Sequence, residues 1–159
     1  MHAGELKRLL EIARSFAPGH RIVIFGSASL LPKYPHLGEP GQPLSPSLDA
    51  DFVIYGIDDD LALALIDAVG ARSTFSRVAG FHADILRLDI AELFPPGWEE
   101  RLEPMPGFDG VFFLEVADLA VAKLHAGRPK DVDVLVHLLK EGLLDADVVK
   151  ARLDATPLR

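Results

Sequence analysis

Two short apolar segments near the front of the chain constrain it most. Residues 21–25 (RIVIF) run directly into Gly26 and Ser27, and residues 50–55 (ADFVIY) follow directly on Asp49. β-branched and aromatic residues at this density read as strands, and strands this apolar must be buried in a sheet. Their polar ends are then left at the rim of that sheet. Between them lies PHLGEPGQPLSPS, in which Pro35, Pro40, Pro43 and Pro46, with Gly38 and Gly41, forbid a regular element. The expectation for this stretch is a long exposed loop.

The remaining pattern places helices and further strands around that pair. Residues 5–17 carry Leu6, Leu9, Leu10, Ile12, Ala13 and Phe16 at helical spacing, with Pro18 and Gly19 as the stop. A short helix is expected within residues 27–34. Residues 58–69 read as a helix with Asp58 as its cap and Gly70 as its end. Residues 73–78 and 82–90 read as two strands joined at Gly80, and residues 111–115 as another. From Val116 the pattern turns helical, over 117–126, 130–141 after Pro129, and 146–154 capped by Asp145. The expected organisation is a core over residues 1–115 and a helical segment over 116–159 packed on it.

Composition narrows the function. The hydrophobic share is 49%, enough for a packed core, and no apolar run reaches the roughly 18 residues that a bilayer span needs. The N-terminal stretch lacks a continuous apolar core, so a cytoplasmic protein is expected. With no cysteine, thiol nucleophiles and Cys-ligated zinc are excluded. A net charge of −8 argues against non-specific binding of nucleic acid as the main activity, and is compatible with acidic residues that hold a divalent cation.

The chemistry-bearing residues sit at the strand ends. Gly26 permits a tight turn and a close approach to a ligand. Ser27 stands where a helix can begin, so its hydroxyl and the neighbouring N–H groups can face a phosphate. Asp49 and Asp51 are two apart, which on an extended strand puts both carboxylates on one face. Close carboxylates repel unless a cation lies between them, and hard oxygen donors suit Mg²⁺. Plainer uses exist for each: a turn glycine, a capping serine, an Asp49 that caps the turn after Pro46. A phosphatase of the HAD type also uses Asp-x-Asp, but there the motif follows an apolar strand instead of opening one.

The order of IVIFGSASLL followed by LDADFVIYG resembles the nucleotidyltransferase superfamily, the DNA polymerase β-like group, although residues 28–48 make a longer spacer than is usual there. DLAVAKLHAGRPKDVDVLVHLL is similar to the helical segment of AbiEii-type and related small bacterial nucleotidyltransferase-like proteins, with Lys123, Arg128, Lys130, Asp131 and Asp133 at its polar positions. The resemblance implies an α+β fold, a mixed β-sheet flanked by helices with a C-terminal helical segment. It implies a third carboxylate on a strand beside the Asp-x-Asp strand; Asp84 and Asp89 are the candidates, and Asp84, set in FHADIL, is the expected one. On this reading Asp49, Asp51 and Asp84 are catalytic and hold two Mg²⁺ ions, while Gly26, Ser27, Lys123, Arg128 and Asp131 serve a nucleoside triphosphate. The implied reaction moves a nucleotidyl group to an RNA or protein hydroxyl, such as a tRNA end, in the setting of a toxin-antitoxin pair with an antitoxin partner. The alternative is an inactive binding module that keeps the fold.

Overall fold

The structure is a computed structural model and describes residues 1–157. Its first element, α1 (Ala3–Phe16), buries the stripe Leu6, Leu9, Leu10 and Ala13. His2 caps it by accepting from the Glu5 N–H, while the Glu5 side chain reaches back to the His2 N–H. The chain then enters β1 (Ile22–Phe25), in which every residue is buried. Four apolar side chains in a row are what a central strand covered on both faces requires, and β1 is central. The sheet is mixed, in the order β3-β2-β1-β5-β4. β2 (Asp49–Ile54) lies antiparallel to β1, and β3 (His82–Leu86) runs parallel to β2. On the other side β5 (Val111–Phe113) runs parallel to β1, and the two-residue β4 (Glu103–Pro104) closes that edge antiparallel to β5.

Around the sheet stand α2 (Asp59–Val69), α3 (Thr74–Ala79), α4 (Val116–Ala126), α5 (Pro129–Lys140) and α6 (Ala146–Ala155). The α+β class expected from the resemblance is the one found. One cluster of buried apolar side chains takes in residues from both sides of position 115, from Leu9, Ile24 and Phe52 to Leu119, Val121 and Leu138. α4 is further fixed by Asp118, which is fully buried and receives two 2.8 Å hydrogen bonds from Arg101, with Arg152 of α6 at 3.3 Å. Among the described residues no helix is long and apolar enough to cross a membrane.

Three expectations need correction. Residues 73–78 are not a strand: Thr74–Ala79 is helical, because the Ser73 hydroxyl accepts from the Ser76 N–H and Gly80, at φ +85°, ends the turn in the left-handed region. The strand expected over 82–90 stops at Leu86, and Leu88–Leu93 continues as a 3₁₀ turn. The proline-rich stretch is neither without regular structure nor simply an exposed loop: Pro35–Gly38 forms a 3₁₀ turn. Leu37 and Leu44 are buried, the Leu44 N–H donates to the Leu37 carbonyl, and the Met1 amino group donates to the Leu44 carbonyl at 2.6 Å. Two apolar side chains among the prolines anchor the loop to the core.

Candidate functional site

Strand register assembles the site at one end of the sheet. Phe25 pairs with Asp51 across β1 and β2, so Gly26 and Ser27 emerge beside the Asp49–Asp51 end of β2. Across β2 and β3, Asp51 pairs with Asp84 and Asp49 with His82. Asp49, Asp51 and Asp84 thereby converge, with one oxygen from each within 4.8 Å of the others. Asp89 lies beyond the end of β3, largely exposed and 3.9 Å from Arg87, so it does not join them.

Gly26 is required by this convergence. Its φ is +66° and ψ −167°, a conformation open in practice to glycine alone, and a Cβ there would collide with Asp51 Oδ2. Gly26→Ala is expected to cost about 2 kcal/mol and to push the Asp51 carboxylate aside. Urea denaturation measures the first effect and calorimetric titration with Mg²⁺ the second. A variant that matches the parent in both would mean that the close approach has no consequence.

The helical segment supplies the opposite charge. Lys123 of α4 is 6% exposed, and its ammonium donates to Ser27 Oγ at 2.6 Å and to Asp131 Oδ1 at 3.1 Å. Asp131, 1% exposed at the start of α5, also accepts from Arg128 Nε at 2.6 Å, from Arg128 Nη2 at 3.2 Å and from the Arg128 backbone N–H. The turn between α4 and α5 thus folds back onto the strand half, as Gly127 in the left-handed region ends α4 and Pro129 begins α5. Arg128 itself stays 58% exposed at the mouth.

The electrostatics follow from this geometry. Burial, and then the charges of Asp49 and Asp84, push the Asp51 carboxyl up to about 7, with Lys123 and Arg128 pulling the other way. Asp84 is also raised, first by burial, while the nearby His82 opposes the shift. For Asp131, burial is outweighed by the hydrogen bonds from Arg128 and Lys123, and its carboxyl lies below the usual range. Burial lowers Lys123 in spite of Asp131. Three mutually repelling carboxylates, supplying only hard oxygen donors, form a set that fits a hard divalent cation. His82, which the sequence pattern does not single out, also borders the cluster. Its Nε2 is 3.5 Å from Asp84 Oδ1, and the signal for it is the two-residue spacing of His82 and Asp84 within one strand.

Over residues 4–158 the chain matches the family described as a nucleotidyltransferase of unknown function, DUF6036. It belongs to that family. No curated protein and no solved structure matches it. Membership in a nucleotidyltransferase family implies a nucleoside triphosphate as substrate and, as a rule, a divalent metal; the cluster of Asp49, Asp51 and Asp84 is the donor set available for one.

Proposed function

We propose that this nucleotidyltransferase moves a nucleotidyl group from a nucleoside triphosphate to a hydroxyl of an RNA or protein acceptor, using two Mg²⁺ ions held by Asp49, Asp51 and Asp84. The observation that carries the reading is the meeting of those three carboxylates with Gly26, Ser27 and Lys123 at one end of the sheet. Bound there, Mg²⁺ would supply Lewis-acid stabilisation of the charge on the phosphoryl oxygens.

The chain's own groups have separate tasks. The acceptor oxygen forms a bond to the α-phosphorus, the bond from that phosphorus to the pyrophosphate oxygen breaks, and the acceptor proton passes to Asp84. A carboxyl raised by burial is a better base than an ordinary one. Ser27 and the turn at Gly26 hold the β- and γ-phosphates. Lys123 offsets charge that develops on the leaving pyrophosphate. Arg128 spends Nε and Nη2 on Asp131, so its remaining nitrogen can reach a phosphate from the mouth. Asp131 holds both cations in position through charge-assisted hydrogen bonds.

Two measurements test this. With Mg²⁺ present, one of ATP, CTP, GTP or UTP at about 100 times its Kd should raise the melting temperature by roughly 5–10 °C. No shift with any of the four at millimolar concentration would remove the enzymatic reading. Incubation with α-labelled and γ-labelled triphosphates, against pools of RNA and of protein, should leave only the α-label on the acceptor and so identify its class. A role as the toxin of a toxin-antitoxin pair would further require that expression halt growth.

A further inference from the structure

Arg21 immediately precedes β1, at the opposite end of that strand from Gly26 and roughly 16 Å away along it. Its guanidinium carbon lies 4.5 Å from the ring centre of Phe112 and 5.4 Å from that of Tyr55. The Tyr55 hydroxyl donates to Glu99, which fixes that ring. The stack accounts for the guanidinium's faces but not for its hydrogen-bonding edge. Nε is buried with no acceptor, and among the described residues Arg21 has no ion pair and no side-chain hydrogen bond. A neutral side chain of the same length would give up the stack on Tyr55 and Phe112 but would leave no buried donor unpaired.

Beside it lies a shallow cavity of about 630 Å³, wide open to solvent and bordered by Arg14, Gly19, His20, Asp109, Gly110 and Phe112 as well as Arg21. Arg14 is held by the carbonyls of His20 (2.7 Å) and Asp109 (2.5 Å), and His20 donates through Nδ1 to the Tyr55 carbonyl at 2.8 Å. Two guanidinium groups therefore border one cavity on fixed supports. The Asp109 side chain is the one carboxylate among its lining residues.

We propose that this cavity binds a small organic oxyanion, a carboxylate or phosphate carried on a flat apolar body. The terminal nitrogens of Arg21 grip the oxyanion as a preorganised fork, and Pro18 and Phe112 pack against the body. This site is separate from the Asp49–Asp51–Asp84 cluster and does not rest on the reading of that cluster.

The test is a titration of the full chain followed by ¹H–¹⁵N correlation spectra, with EDTA present and no Mg²⁺, using phenyl phosphate, benzoate and inorganic phosphate. Saturable shifts are expected at the Gly19 and Gly110 amides, with a Kd of about a millimolar for the better aromatic anion. Which aromatic anion binds more tightly tells phosphate from carboxylate. Arg21→Met should weaken binding by about tenfold or more, and Arg21→Lys, which keeps the charge but not the fork, by several-fold. Asp51→Asn should leave it unchanged. No saturable shift up to about 20 mM, or equal binding by Arg21→Met or by Arg21→Lys, would overturn the proposal. So would inorganic phosphate binding as tightly as phenyl phosphate, since the apolar body would then have no part.

Discussion

Replacing Asp51 by Asn is expected to lower nucleotidyl transfer by about a thousandfold and yet leave the metal-free protein more stable at pH 7. The two effects have one cause. Asp51 lies between Asp49 and Asp84 in a partly buried position, and its carboxyl is raised from 3.8 to about 7. A group whose pKa rises on folding favours the folded state while it is protonated. That contribution is fully present below about pH 4 and is lost as the pH climbs to about 7. Asparagine carries no charge to lose, so without metal the variant should gain about 2 kcal/mol above pH 7 and almost nothing near pH 4. Urea denaturation in EDTA across that range measures the gain. A gap between the two proteins that does not widen with pH, or a variant that retains full turnover, would sink the metal-ligand assignment.

Asp131→Ala should act in the opposite sense, lowering stability by about 3–5 kcal/mol and the melting temperature by roughly 10 °C. Its carboxylate is 1% exposed and receives both Lys123 and Arg128. Without it the Lys123 ammonium, 6% exposed, keeps only the Ser27 hydroxyl as partner. Burial already lowers the Lys123 pKa, so the loss of Asp131 should leave more of it neutral and weaken triphosphate binding as well. The control is Asp133→Ala two positions on, where the side chain is exposed. It should stay within about 0.5 kcal/mol of the parent. Equal losses from the two variants would reduce Asp131 to a surface residue at a helix start.

The parts of the site that the sequence makes legible are those set by local geometry. The two-residue spacing of Asp49 and Asp51 dictates a shared face once β2 is a strand, and Gly26 followed by Ser27 after an apolar run marks a turn at its end. The order Lys123, Arg128, Asp131 around Pro129 likewise points to a helix start. What local pattern cannot carry is register. Nothing near His82 in sequence says that it will stand across from Asp49, or that the Lys123 ammonium will reach Ser27. The errors in the fold have the same origin. Thr74, Phe75 and Val78 are good strand residues, and a single capping hydroxyl at Ser73 with a left-handed Gly80 decides the segment as helix instead. In the proline-rich stretch, breaker residues outnumber Leu37 and Leu44, yet those two leucines fix where the loop lies.

Ser27 and Lys123 are 96 positions apart, and the contact between them closes about three-fifths of the chain into one loop. Closing so long a loop costs entropy that only later packing repays. On a ribosome, residues emerge in order, so Asp49, Asp51 and Asp84 leave the exit tunnel before α4 and α5 do. For that interval any early pairing of β2 with β3 would bring the three carboxylates together without Lys123 to offset their charge.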